Sequence, residues 1–358
     1  MKRTNLLFAS LSSVSVIILL SYSCSKSSIP YTQDGNWVTR AYFGGNNRSE
    51  AVTFTIGNLA YIATGYDGIT RYNDLWSFDP AGNAGDGSWA ELASMPMTNA
   101  TGGGTVRSSG VGFNIDTLGY VGTGYDGYNP MKDFWQYSPA TNSWTQMADF
   151  IGGARYDAVA FGIGSFGYVT TGYDGLTDHN DNWQFNPADD TWIEKESMPG
   201  QKRSQAVAFV YKGMGWVVTG VDNGQATGDF WVYDPSKSGG GAWSQKNKIF
   251  NATTSTFDDG YTNIERWNSA AFVILGTAHG DRAYISTGEN GALYNFTWEY
   301  DLLNDLWVPK TPFEGVARTG AVGITVQNRG FIGLGRTSSQ ALYDLREFHP
   351  NEVFNPND

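Results

Sequence analysis

The chain has 358 residues, 35 acidic against 23 basic, for a net charge of −12, and a single cysteine. An acidic balance of this size excludes nucleic acid and anionic lipid surfaces as electrostatic partners. Only 16% of residues are charged, while 45 Gly, 13 Trp, 20 Tyr and 20 Phe are present, a composition that points to an all-β protein with many tight turns.

Lys2 and Arg3 precede an apolar run from Leu6 to Leu20, and Leu20-Ser21-Tyr22-Ser23 leads into Cys24. The run is short for a membrane span and is placed as an export signal would be. The segment resembles a bacterial lipoprotein signal, residues 1–23, with a loose lipobox because Tyr22 is bulky. The resemblance implies lipid attachment at Cys24, a tether over 24–34 and an exported protein anchored in the cell envelope, at the outer membrane, in contact with the membrane only through that lipid. An ordinary secretory signal that happens to contain a Cys is the alternative. Without the signal the chain carries 21 basic and 35 acidic residues, a charge of −14, and apart from Cys24 it has no cysteine. It therefore has to be held together by its core rather than by disulfides.

From residue 35 onward one unit of roughly 50 residues recurs six times. Arg48 to Gly65, Arg107 to Gly124, Arg155 to Gly172, Arg203 to Gly220 and Arg318 to Gly335 are each 17 residues apart, and Arg266 to Gly288 is 22. Alternation within each unit predicts four strands. Strand a follows the Arg and strand b ends at the Gly. A Tyr-Asp-Gly turn comes next in the first three units, then strand c with Asp-x-Trp-x-aromatic, and strand d with a second Trp. The strand c Trp residues are Trp76, Trp135, Trp183, Trp231 and Trp298, and Arg346 holds that place in the sixth unit. The Trp pairs are read as packing between neighbouring sheets.

These composite motifs resemble kelch repeats, and the match spans Asn36 to Pro350. The resemblance implies a six-bladed β-propeller over 35–358, with blades near 48–92, 107–147, 155–195, 203–245, 266–309 and 318–350. One departure stands out. Kelch units usually carry Gly-Gly after strand b, whereas here the pairs are Thr64-Gly65, Thr123-Gly124, Thr171-Gly172, Thr219-Gly220, Thr287-Gly288 and Leu334-Gly335. The sixth unit lacks a terminal Trp, and Trp37 stands alone before the first Arg. Residues 36–40 are thus expected to supply strand d of the last blade; the alternative is that the tail through Phe354 completes it.

In such a fold the d–a connections and b–c loops share one face. The resemblance implies that Arg48, Arg107, Arg155, Arg203, Arg266 and Arg318 line a funnel there and contact acidic ligands, with Tyr66, Tyr125 and Tyr173 beside them. The alternative is a structural network in which Asp67, Asp126, Asp174 and Asp222 neutralise the Arg ring. Unit five deviates most, with a long approach containing Asp258-Asp259-Gly260-Tyr261, Glu289-Asn290-Gly291 in place of Tyr-Asp-Gly, and extra residues around His279-Gly280-Asp281. A pocket near Glu289, Arg266 and Arg336 is expected.

Two functions follow from this reading. The first is a non-catalytic propeller binding a carbohydrate or protein partner on the Arg-lined face. The second is an enzyme resembling the periplasmic sialic-acid mutarotases, an isomerase with Glu289 as general acid/base; the later Arg that such a site pairs with the Glu is replaced here by Asn295. A copper centre of the galactose-oxidase type would need a Tyr–Cys crosslink and clustered His ligands. With no Cys after Cys24 and only His179, His279 and His349, no metal or other cofactor is expected.

Overall fold

The computed structural model describes residues 34–249 and 263–357. The chain divides into residues 1–30 and residues 31–358. The signal and Cys24 lie outside the described residues, as does Asp258–Tyr261.

The chain opens with β1 (Asp34–Arg40). Blade one follows as β2 (Val52–Ile56), β3 (Leu59–Ala63), β4 (Leu75–Asp79) and β5 (Ser88–Leu92). Blade two is β6 (Val111–Ile115), β7 (Leu118–Gly122), β8 (Phe134–Ser138) and β9 (Ser143–Met147). Blade three is β10 (Val159–Ile163), β11 (Phe166–Thr170), β12 (Asn182–Asn186) and β13 (Thr191–Lys195). In blade four a small hairpin, β16 (Val221–Asp222) and β17 (Gln225–Ala226), interrupts β14 (Val207–Tyr211), β15 (Met214–Val218), β18 (Phe230–Asp234) and β19 (Ala242–Gln245). Blade five is β20 (Ala270–Thr277), β21 (Gly280–Ser286), β22 (Thr297–Asp301) and β23 (Leu306–Lys310); blade six supplies β24 (Val322–Val326), β25 (Arg329–Gly333) and β26 (Leu345–Val353). Each sheet is antiparallel and meandering. The architecture is thus an all-β, six-bladed propeller.

Strand b is almost fully buried in every blade, whereas the inner strand a alternates. Small residues on the inner strands let neighbouring blades meet main chain to main chain. A Cβ added at Gly162 would fall 1.9 Å from the Asn114 carbonyl oxygen, so only Gly fits there. Aromatic side chains fill the wedges between blades. Phe113, Tyr120, Phe134, Phe185 and Trp192 form one such cluster across blades two and three. In the first four blades the strand d indoles also tie the blade to the segment before it, with Trp89, Trp144, Trp192 and Trp243 donating to the carbonyls of Ala41, Ala93, Ala148 and Glu196. The repeated Trp is therefore both filler and hydrogen-bond donor.

The ring closes through the N-terminal strand. β1 pairs antiparallel with β26, Trp37 opposite Phe348, as the outermost strand of blade six. Trp37 is fully buried, and its indole donates to the Thr311 carbonyl at 3.3 Å. The tail does not complete its own blade: β26 runs on to Val353 and pairs there with Asp34.

A charge cluster backs this seam. Glu347 accepts hydrogen bonds from Arg329 and Arg40 and lies 3.3 Å from His349, which also meets Glu352 at 2.8 Å. These cations hold the Glu347 carboxyl well below the usual carboxylate range despite its burial. Hydrogen bonds to Glu347 and Glu352 raise His349. A raised His contributes stability that is present below about pH 6.5 and is lost as pH rises through its folded value, and a depressed Glu contributes stability that is lost only in acid. The melting temperature is therefore expected to fall from pH 6 to pH 8. Replacing His349 by Gln should flatten that slope; an unchanged slope in a thermal scan would show that the seam is not proton-linked.

Candidate functional site

The six repeat Arg residues do not line the funnel. Each is 0% exposed. In every blade one Nη donates to the carbonyl of the residue just before the strand b Gly, Thr64, Thr123, Thr171, Thr219, Thr287 or Leu334, at 2.8–3.0 Å. That residue has φ between +52° and +64°, the left-handed region usually filled by Gly, and the turn aims its carbonyl at the guanidinium. In five blades the guanidinium also pairs with the Asp that opens strand c: Asp74, Asp133, Asp181, Asp229 and Asp344. In the first four, that Asp accepts in turn from the indole of the Trp two residues on. The motif Asp-x-Trp is thus the far half of an Arg–Asp–Trp strut inside each blade. In blade five Phe296 stands where the others have Asp, and Arg266 is held by the carbonyls of Asn263, Ile264, Thr287 and Phe296.

The aspartates of the b–c loops play another part. Asp67, Asp126 and Asp174 each accept two backbone N–H groups of their own turn, at 2.6–2.8 Å. They shape the loop rather than neutralise the Arg, and Asp222 accepts from Asn223. This local capping is the ordinary Asx-turn chemistry of Asp before Gly.

Two closed rings of main-chain hydrogen bonds organise the face. In the outer ring the strand b Gly of each blade donates to the Arg carbonyl of the next, from Gly65 to Arg107 round to Gly335 to Arg48, at 2.8–2.9 Å. The inner ring joins residues two after each Arg: Ser109 N–H to Glu50, Asp157 to Ser109, Gln205 to Asp157, Asn268 to Gln205, Gly320 to Asn268 and Glu50 to Gly320, at 2.8–3.0 Å. All six have φ between +50° and +62°. For five non-Gly residues that conformation has a cost, and clustered backbone outliers point to a working site.

The inner ring borders a cavity of about 140 Å³ at the channel mouth, lined by Glu50, Ser109, Asp157, Gln205, Asn268, Ser269 and their neighbours. Below it the channel opens to about 370 Å³ between the inner strands, past Thr53, Thr55 and Asn114. Asp157 accepts from Gln205 Nε2 at 3.1 Å, and Ser109 Oγ donates to Glu50 at 3.3 Å. Loss of bulk water, with the negative charge of Glu50 adding to it, pushes the Asp157 carboxyl up to about 7. Sequence reasoning passed over these residues because they differ in every unit. The available signal was position: each stands two residues after an Arg.

Around the mouth, the first residue of each b–c loop bridges to the residue after the Arg, as in Ser49 with Tyr66 and Thr319 with Arg336. In chain order these positions are Tyr66, Tyr125, Tyr173, Val221, Glu289 and Arg336. The first half forms an aromatic rim. The Arg71 guanidinium lies 4.2 Å from the Tyr66 ring centroid and 5.1 Å from that of Tyr125, and Tyr156 bridges Tyr125 and Tyr173 with centroids 5.1 and 5.6 Å away. The second half carries Val221 and two charged residues. Arg336 reaches Glu50 at 3.6 Å, and Glu289 accepts from the Thr319 hydroxyl at 2.8 Å. Asn295 turns its amide to the Phe313 carbonyl. Of the pocket expected in unit five, the structure places Glu289 and Arg336 on the rim and Arg266 inside its blade.

A family model described as "Kelch motif" matches residues 124–151. No curated protein matches the sequence. Among solved structures, the chain is similar to "Structure of YjhT", with a TM-score of 0.68 and 16% sequence identity, covering 85% of this chain and 95% of that one. The chain is thus a six-bladed β-propeller of four-stranded blades whose second repeat carries a kelch motif.

Proposed function

We propose that the protein is a non-catalytic carbohydrate-binding propeller whose site is the channel mouth and its aromatic rim. The carrying observation is the inner ring: a backbone near six-fold symmetry presents unlike side chains, Glu50, Ser109, Asp157, Gln205 and Asn268, at one cavity. Nothing in the hydrogen-bonded ring requires that chemistry, since its bonds are main chain to main chain. Carboxylates, amides and a hydroxyl suit a ligand with alternating donors and acceptors, and tyrosine faces suit the apolar face of a sugar ring. The cavity has room for a protruding substituent and a few waters, with the body of the sugar on Tyr66, Tyr125 and Tyr173.

The test is thermal stabilisation and calorimetry of the purified protein against a panel of neutral, acidic and amino glycans. Tyr125→Ala should weaken a binding glycan by roughly tenfold. No shift with any glycan would overturn the reading.

One observation favours a protein partner instead. Ile69, Tyr128 and Leu176, at the same place in the b–c loops of three adjacent blades, are 91%, 88% and 90% exposed. Binding of a partner protein that is lost on replacing these three by Ser, with no glycan response, would support that second reading. An isomerase reading would rest on Glu289, and anomerisation assays on any sugar that binds would test it.

A further inference from the structure

We infer that the inner ring is a subsite for a cationic substituent, and that the glycan it selects is an amino sugar bearing a free ammonium group. This rests on the carbohydrate reading and assigns the class of ligand.

With the six repeat Arg residues buried, the groups that face the cavity are acidic or neutral: Glu50, Asp157, Ser109, Gln205 and Asn268. Glu50 has a cation in Arg336, 3.6 Å away on the rim. Asp157 has none within ion-pair distance among the described residues; its carboxyl meets the Gln205 amide and the Ser109 hydroxyl, and its backbone belongs to the ring. A ligand that brings a positive charge to this point supplies what the protein withholds, in a channel where water screens weakly.

A second feature points the same way. Ser269 lines the same cavity, is 7% exposed, and its hydroxyl oxygen has no hydrogen-bond partner among the described residues. A buried hydroxyl without a partner is an acceptor for a donor-rich ligand. An ammonium has three donors and no acceptor, and so fits a carboxylate, a hydroxyl and an amide oxygen together. A divalent cation fits less well. Among the described residues no three His, Cys, Asp or Glu side chains gather as a metal site would need, and the ring carbonyls are already engaged.

The subsite is proton-linked. The charged and titratable groups around Asp157 are Glu50 two places round the ring, Asp178 and Tyr156 from its own blade, and Arg336 beyond Glu50. With its carboxyl raised to about 7, Asp157 holds a proton in the empty ring at mildly acidic pH. Binding the ammonium releases that proton. Affinity for an amino sugar is therefore expected to fall by roughly tenfold per pH unit below 7.

The experiment titrates the full protein with glucosamine, galactosamine and mannosamine, each against its N-acetylated form and its parent hexose, from pH 5 to 7 where the amine stays protonated. A hexosamine should bind at least tenfold tighter than its two counterparts at pH 7. It should lose that advantage at pH 5, and Asp157→Asn should abolish both the preference of the amine over its N-acetylated form and the pH dependence. Equal binding of the three forms, or a preference kept in Asp157→Asn, overturns the cation subsite and leaves the carbohydrate reading standing. Neutral and amino sugars all failing to bind would overturn both. Should Asp157→Asn not fold, Asn268→Leu, which removes an amide from the same ring, should reduce the hexosamine preference; an undiminished preference would overturn the subsite.

Discussion

Arg107→Ala is expected to destabilise the protein by about 3–5 kcal/mol in equilibrium denaturation, the cost typical of leaving one partner of a buried ion pair without the other. Arg107 is 0% exposed and the Asp133 side chain 5%, and the two meet at 2.7 Å. Removing the guanidinium also takes donors from the Thr123 and Thr105 carbonyls and leaves Asp133 with only the Trp135 indole at 2.7 Å. The blades should not respond equally. In blade one the partner Asp74 is 18% exposed, so water can replace part of what is lost, and Arg48→Ala should cost less than Arg107→Ala. Equal, small effects in both would show that the struts are ornamental to stability. Neither variant should alter the ligand preference of the mouth except through folding, because neither side chain reaches it.

Trp37→Ala should cost a comparable amount, about 3–5 kcal/mol, as expected for deleting a fully buried large aromatic. Its ring packs against Phe313 and Phe348 at centroid distances of 4.9 and 4.8 Å, and edge-on to Phe272 at 6.0 Å, so it touches blades five and six at once. The loss falls on the strand that closes the ring. Weakening β1 frees the edge of β26, a nine-residue strand, and an open edge invites pairing with other chains. The expected signature is a lower denaturation midpoint together with concentration-dependent association on size-exclusion chromatography. Trp89→Ala, at a partly exposed indole in blade one, should show a smaller stability loss and no association.

Most of the fold was legible in the sequence because repeat spacing is a global signal. The 17-residue step from Arg to Gly is the length of strands a and b with their turn, and the orphan Trp37 matched the one place where a strand d was missing. The role of the Arg residues was not legible from residue type. A guanidinium reads equally well as a ligand contact or as a strut, and the loop aspartates looked like its neighbours. Its true partner stands at a second constant spacing, 26 residues on, from Arg48 to Asp74 through Arg318 to Asp344. The mouth residues escaped notice for the opposite reason. Repeat detection rewards sameness, and Glu50, Ser109, Asp157, Gln205 and Asn268 share a backbone state rather than a side chain.

The two hydrogen-bonded rings separate what holds the mouth together from what the mouth recognises. Every link is an N–H to a carbonyl, so five side chains can be exchanged without breaking one. The mouth therefore behaves as a short, rewritable code on a fixed frame. A library confined to these positions, weighted towards Asn, Asp and Gly because the backbone there is left-handed, would retune the ligand while the blades, struts and closing strand stay as they are.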